Sequence, residues 1–385
     1  MDNEVVFNFP LSLSIFNFPL SISSDHVKQT ESTPSARGYH MPAEWEPHQA
    51  TWLTWPHDEA HWPGLYEKIP PIWARMVKEL EIGEEVHIVT HDAVVEESAR
   101  KEMRKAGVIG KNVHLHRIPS NFPWVRDHGP IVVKNEKGER IFLDWLFNAH
   151  GDQWKYDKDD KIPSQLASTL QFPVRKIDMV LEGGSIDVNG KGTLLTTESC
   201  LLNPNRNPSF SKEKIEQHLK ENLGVTNILW LGEGIQGDDT SGHVDDLTRF
   251  VGPRTVVTVV QEDSNDPDFA PLQENLKRLK TMKDQDGNPL EIIPIAQPKP
   301  VYVSEHQPTK AKVTEKKGFR IPASYANFYI ANECVLLPVW NDPNDAKAIE
   351  TLQRCFPKRR IIPIDSRILT WGFGSFHCVT QQLPM

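Results

Sequence analysis

Three features of this 385-residue sequence predict an α/β fold. Short β-rich runs alternate with amphipathic stretches from about residue 70 onward, candidate strands outnumber candidate helices roughly two to one, and no composition break or long linker divides the chain. The ratio suggests repeated β-rich units carrying one helix each, although no residue-level repeat accompanies them. A single domain is the simplest count.

Residues 1–40 precede this pattern. Positions 7–12 and 16–21 both read Phe-Asn-Phe-Pro-Leu-Ser. Asp2 and Glu4 stand where a secretory signal carries basic residues, and Asn and Pro break the apolar run. Pro10 and Pro19 exclude a membrane helix of about 20 residues. The segment reads as a poorly ordered extension or surface-docking arm ahead of a domain over 41–385. Within that domain apolar residues recur at helical spacing over 72–80, 94–106, 212–222, 271–282 and 344–356. Strand-like runs fall at 86–90, 113–118, 130–133, 193–196, 227–230, 255–260, 291–295, 327–331, 335–338 and 360–364. The Pro-rich and charged stretches 261–268 and 298–317 read as loops.

Composition narrows the function classes. With 38% hydrophobic and 25% charged residues the chain has the make-up of a soluble globular protein. A formal net charge of −9 argues against a nucleic-acid partner and favours a small cationic one. Cys200, Cys334, Cys355 and Cys378 show no Cys-x-x-Cys pair, so neither a disulfide framework nor a zinc module is suggested. A reducing, cytoplasmic location is the expectation.

Four polar clusters carry candidate chemistry. Cys378 closes the run Gly372-Phe373-Gly374-Ser375-Phe376-His377-Cys378; His243, Asp245 and Asp246 fall in Gly242-His243-Val244-Asp245-Asp246; Asp127 lies in Trp124-Val125-Arg126-Asp127-His128-Gly129-Pro130; and Glu182 begins a Glu-Gly-Gly-Ser turn. Each has a bland alternative. Cys378 also reads as a small buried hydrophobe, Arg126 and Asp127 as a surface ion pair, Gly183 and Gly184 as a turn using positive φ, His243 as a satisfied interior histidine, and Asp238, Asp239, Asp245 and Asp246 as a solvated acidic loop. Glycines 372 and 374 are expected to give unusual dihedrals and close approach to a ligand. Together, three carboxylates, a histidine and a thiol suit a guanidinium or amidinium substrate. That group is planar, permanently cationic and rich in N–H donors, so carboxylates clamp it through paired hydrogen bonds. A thiolate then attacks the central carbon while a histidine protonates the departing ammonia.

Two rival classes compete with this reading. A metal hydrolase would recruit His243, Asp245, His377 and Cys378, but adjacent residues of a strand point to opposite faces and no His-x-x-x-His or Cys-x-x-Cys anchor is present. A non-catalytic binding module would need no complete site.

The motif set resembles the agmatine deiminases and their bacterial peptidyl-arginine deiminase relatives, within the guanidino-group-modifying (pentein) superfamily. The resemblance runs from about Met41 to Pro384 and rests on Met-Pro-Ala-Glu-Trp-Glu-Pro-His (41–48), the stretches at 124–130 and 181–185, and Leu-Leu-Asn-Pro-Asn-Arg-Asn-Pro (201–208). It rests further on Gly-His-Val-Asp-Asp (242–246), Ser-Tyr-Ala-Asn-Phe-Tyr-Ile-Ala-Asn (324–332) and His-Cys-Val-Thr-Gln-Gln (377–382). The chain departs from the plant-type pattern at His128, Phe373 and Ser375, which are expected near the pocket mouth or behind it.

The resemblance implies a five-bladed α/β propeller with a narrow central site and a single catalytic domain. It implies Cys378 as nucleophile, forming an amidino-thioether, and His243 as general acid and then base. Asp127 and Asp245 would bind the guanidinium, Glu182 would orient His243 and hold substrate, and Trp124 and Gly374 would line the pocket. No metal or organic cofactor, nucleic acid or membrane is implied. Agmatine is the expected substrate, with peptidyl-arginine or another guanidino compound as the alternative, and homo-oligomer formation is left open.

Overall fold

Residues 32–302 and 318–385 are described by the computed structural model. Residues 1–31 of the expected N-terminal extension and 303–317 of the 298–317 loop therefore lie outside the described residues. Residues 33–40 are tied to the domain: Ser35–Arg37 form a short 3₁₀ turn, Tyr39 is buried, and His40 bridges to Lys134.

The five expected helices are present, with ends set by capping chemistry. Ile69–Leu80 begins three residues before the expected start because Pro70 and Pro71 occupy its first turn, where a missing N–H costs nothing. Asp92 caps Ala93–Ala106 by accepting from the N–H groups of Val94 and Val95, and Gly107 ends it at φ 74°. Ser211 and Gly224 bracket Lys212–Leu223 in the same manner. Phe269–Leu279 and Asp345–Cys355 complete the set. A further helix, Ile162–Leu170, escapes the sequence reading because Pro163, Ser164 and Thr169 interrupt its apolar period.

Among the described residues the strands form five sheets of three or four strands, and Val301–Tyr302 pairs with Arg320–Ile321 in a two-stranded ribbon. Four sheets share one plan. In the first, Ile131–Lys134 pairs antiparallel with Arg140–Leu146, which pairs parallel with Val174–Val180 across the helix Ile162–Leu170. Asp187–Val188, Thr193–Thr197 and Asn227–Leu231 repeat it around Lys212–Leu223. Thr248–Phe250, Thr255–Val260 and Glu291–Ala296 repeat it around Phe269–Leu279, and Tyr329–Ile330, Cys334–Val339 and Arg360–Asp365 around Asp345–Cys355. The fifth sheet brings an early strand against the last one. Gln381–Pro384 lies antiparallel to His48–Thr54, which is followed in parallel by Glu85–Thr90 and Val113–Arg117.

His48–Thr54, Arg140–Leu146 and Val174–Val180 are among the strands that the sequence reading misses. The expected strand at 327–331 shrinks to Tyr329–Ile330, because the Asn327 side chain is engaged with the backbone around Ser375 and Cys378. Buried apolar clusters fill the interior, one of them built on Trp55, Trp62 and Trp73 beneath Trp124 and Cys378.

Candidate active site

Each sheet is entered through a short turn, and those turns carry the polar clusters. Asp127 lies in the turn Val125–His128 ahead of Ile131. Glu182 precedes the Gly183–Ser185 turn, and His243 precedes Val244–Asp246. Asn327 stands two residues before Tyr329, and Cys378 three before Gln381. Segments far apart in sequence thus present side chains from equivalent places, and the distances between them are short.

Cys378 is buried, 5% exposed. Its thiol donates to Asp245 Oδ2 at 3.7 Å, and Asn327 Nδ2 donates to Sγ at 3.1 Å. The Asn327 carbonyl accepts from the backbone N–H of Ser375, His377 and Cys378 at 3.2, 3.1 and 3.4 Å, so one amide shapes the whole approach to the thiol. Burial, together with the carboxylates of Asp245, Asp246 and Asp127, pushes the thiol pKa well above its ordinary value.

Asp127 and His243 face one another across Gly184. Asp127 Oδ1 accepts from the Gly184 N–H at 3.0 Å and lies 3.8 Å from His243 Nδ1, which is 4.0 Å from Asp245 Oδ1. Asp127 Oδ2 pairs with His150 Nε2 at 3.1 Å. Burial raises the Asp127 pKa, but His243, His150 and the Gly184 N–H outweigh it and hold the carboxyl below its usual range. Burial likewise lowers His150, and its bond to Asp127 more than compensates, leaving the ring raised. Glu182 Oε1 accepts from Arg206 Nε at 2.6 Å; one of its carboxylate oxygens lies within 4.8 Å of a His243 ring nitrogen, with no hydrogen bond between them.

Several buried atoms at this point have no partner: both ring nitrogens of His243, Asp245 Oδ1, Glu182 Oε2 and His150 Nδ1. Leaving a buried polar group unsatisfied costs about 1–3 kcal/mol, so such a cluster marks a place built for a ligand rather than for stability.

Beneath the site runs a buried charge network. Asp245 Oδ2 accepts from His377 Nδ1 at 2.6 Å, and His377 Nε2 meets Glu44 Oε2 at 2.9 Å. Glu44 also accepts from Arg126 at 3.1 Å and from Arg249 at 2.9 Å. Burial raises the Glu44 pKa, yet Arg249, His377 and Arg126 hold it well below the carboxylate range. Arg126 is therefore no surface partner of Asp127: it is buried on Glu44, the His377 carbonyl and Gln382.

The site opens into a narrow cleft lined by Trp124, His61, Trp154 and Phe373 together with Asp127, His150 and Cys378. Trp124 packs on Trp62 with ring centres 5.7 Å apart. Asp239 also lines the cleft, its carboxyl pushed up to about 7, first by burial and then by Asp238 and Asp127 against the pull of His150.

The glycines act through space rather than dihedral freedom, which corrects the expectation of positive φ. A Cβ on Gly184 would lie 2.6 Å from His243 Nδ1 and 2.9 Å from both Asp127 Oδ1 and Asp245 Oδ2; one on Gly374 would lie 3.0 Å from Cys378 Sγ. The left-handed residue of the loop is Phe373, at φ 71°. Phe373 lines the cleft, as expected. Ser375 lies behind it, bonded to Ser366, and His128 is buried on the Phe122 carbonyl.

Of the residues expected from sequence, Trp124, Asp127 and Cys378 line the cleft, while His243, Asp245, Glu182 and Gly374 lie beside these or one another. His150, Asn327 and Arg206 join them without having been singled out, Asp239 lines the cleft instead of lying in a solvated loop, and His377 is hydrogen-bonded to Asp245 and Glu44. His150 sits at φ 58° in an irregular turn with no motif around it, so nothing local marks it. Asn327 and His377 are legible only as members of motif strings. Two overlapping donor groups here, Asp127 with His150 and His243 and Glu182 with Cys200 and His243, have metal-like spacing. Arg206 pairs with one Glu182 oxygen, Oε1, and burial raises the Cys200 thiol well above its ordinary pKa, which disfavours a thiolate ligand in the second group.

The sequence pattern of the Porphyromonas-type peptidyl-arginine deiminases matches residues 40–384. An agmatine deiminase of Ectopseudomonas mendocina is 36% identical, the match covering 92% of this chain and 97% of that protein. The solved structure of the Enterococcus faecalis agmatine deiminase superposes with a TM-score of 0.87 at 33% identity, covering 92% of this chain and 98% of that one. That of the C. jejuni agmatine deiminase with substrate bound gives 0.78 at 31% identity, covering 89% and 96%.

Proposed function

This chain belongs to the Porphyromonas-type peptidyl-arginine deiminase family, and we propose that within it the protein hydrolyses agmatine to N-carbamoylputrescine and ammonia through an amidino-thioether on Cys378. The observation that carries this reading is the cluster of unpartnered buried atoms formed by Glu182 Oε2, Asp245 Oδ1 and the two His243 nitrogens, joined to the thiol through Asp245. A guanidinium supplies the N–H donors those oxygens lack, and its charge offsets the carboxylates that help keep the thiol protonated.

The chemistry runs in two halves. With the cation in place Cys378 loses its proton to His243, and sulfur bonds to the guanidinium carbon. The proton returns to the departing nitrogen as the C–N bond breaks and ammonia leaves. His243 then takes a proton from water, oxygen bonds to the same carbon, and the C–S bond breaks to restore the thiol and release the ureido product. Asp127 and Asp245 hold the guanidinium nitrogens, Trp124 packs along the aliphatic arm, and Glu182, neutralised by Arg206, orients His243.

Substrate choice rests on the cleft. Its lining includes no lysine or arginine among the described residues to meet a substrate carboxylate, and its aromatic walls and acidic Asp239 suit an amine-terminated chain. The relatives from Ectopseudomonas mendocina, Enterococcus faecalis and C. jejuni bear the same activity in their names. The four repeated sheets and the fifth are proposed to close as a five-bladed propeller around the cleft, making 41–385 one catalytic domain with residues 1–40 as an extension. Ammonia release from agmatine, free arginine and a blocked arginine peptide, offered in parallel, tests the assignment: turnover of agmatine alone supports it, and preference for the peptide overturns the substrate while leaving the mechanism standing.

A further inference from the structure

Away from the cleft, Glu85, His87 and His114 bring three donor atoms within 4.8 Å of one another on adjacent parallel strands. Register explains the grouping. His87 lies directly beside His114 in the pairing of Glu85–Thr90 with Val113–Arg117, and side chains two residues apart share a face, so Glu85 and His87 stand together on one strand and His114 and His116 on the next. His87 Nε2 lies 3.2 Å from Glu85 Oε2, and His114 Nε2 lies 4.0 Å from Glu85 Oε1. Bonds of about 2.0–2.1 Å in a tetrahedral zinc site place neighbouring donors about 3.3 Å apart, so the first pair is already at that spacing and the second, between two part-exposed side chains, is about 0.7 Å wider.

A supporting partner stands behind these donors. His87 Nδ1 is 2.9 Å from His116 Nε2, with the two rings stacked 8° from parallel, and the Trp52 ring packs against His87 at 4.6 Å. This is the outer hydrogen bond that fixes ring orientation and tautomer in histidine metal sites. Glu85 and His114 are 42% and 45% exposed, so an ion reaches them directly from solvent.

We propose that Glu85, His87 and His114 form a surface site for a first-row divalent metal of zinc type, with His116 holding His87 as its ligand orienter. The donor set of two imidazoles and one carboxylate suits zinc, and leaves a fourth position for water. The site shares no residue with the guanidinium cleft.

The test is calorimetric titration of Zn²⁺ into the full-length protein and into His114→Ala, Glu85→Gln and His116→Gln. Ligand loss in the first two is expected to weaken the site more than tenfold, and His116→Gln by about 10–100-fold. All three variants are expected to match wild type in agmatine turnover in the presence of chelator, which shows that they are folded. Wild-type protein that takes up no Zn²⁺, or variants that bind it as wild type does, would overturn the proposal; the second result would place the ion in the Asp127, His150 and His243 group instead.

Discussion

Asn327 donates its side-chain amide to Cys378 Sγ at 3.1 Å while its carbonyl gathers the backbone N–H groups of Ser375, His377 and Cys378. Its amide also donates to Asp246 Oδ1 at 3.0 Å, tying the nucleophile loop to the turn that carries His243 and Asp245. Asn327→Ala removes every one of these bonds and leaves buried donors unmatched. A loss of about 1–3 kcal/mol of stability is expected in denaturant titration, with kcat for agmatine falling more than that loss explains because the thiol is no longer held in place.

Gly184→Ala tests whether close approach, rather than backbone freedom, is what this glycine supplies. The new methyl would press on His243, Asp127 and Asp245 at 2.6–2.9 Å, and all three of these groups are buried. Displacement of catalytic groups by about 1 Å costs on the order of 10²-fold in rate. A kcat drop of that size with far-UV circular dichroism unchanged is the expected outcome; near-normal turnover would show that the site tolerates the extra atom.

Asp245→Asn should separate thiol reactivity from turnover. After burial, the Asp245 carboxylate is the largest influence raising the Cys378 pKa, so its neutral replacement favours the thiolate. Iodoacetamide labelling of Cys378 near pH 8 is expected to accelerate, while agmatine hydrolysis is expected to collapse because the proposed guanidinium anchor is gone.

A fourth prediction concerns stability away from the cleft. Asp159 is buried; its Oδ1 accepts from the N–H groups of Asn121 and Phe122, its Oδ2 has no partner, and burial pushes its carboxyl up to about 8. An unfolded aspartate titrates near 3.9, so between these values the folded chain holds a proton that the unfolded chain has released. Stability from this group is therefore full below about pH 4 and declines as pH rises toward 8. Asp159→Asn keeps the acceptor and removes the titration. Its advantage over wild type should grow by on the order of 4 kcal/mol between pH 4.5 and 7.5, read as a widening gap in denaturation midpoints.

Helices and chemistry are legible in the sequence for different reasons. Helices such as 94–106 and 212–222 announce themselves by period, and their ends follow from Asp92, Ser211 and Gly224. Edge strands of two to four residues, such as Asp187–Val188 and Gln381–Pro384, are too short to show a period and exist only because a long neighbour pairs with them. Cys378, His243, Asp127 and Glu182 stand out through their surroundings of glycine and charge. Glu44 and His150 do not, because their importance lies in partners 333 residues away at His377 and 23 away at Asp127, respectively. Arg126 misleads for the same reason: its neighbour in sequence is an acid, but its partner in space is Glu44.

The proposed covalent capture of substrate by Cys378 would leave a mass signature. Acid-quenching the protein within its first turnovers of agmatine, followed by mass spectrometry of the peptide containing Cys378, reads that signature without relying on rates. The expected product is a peptide heavier by the mass of agmatine less ammonia, absent from Cys378→Ala, which should also release no ammonia. An unmodified Cys378 peptide during turnover, with ammonia still released by Cys378→Ala, would rule out the thioether.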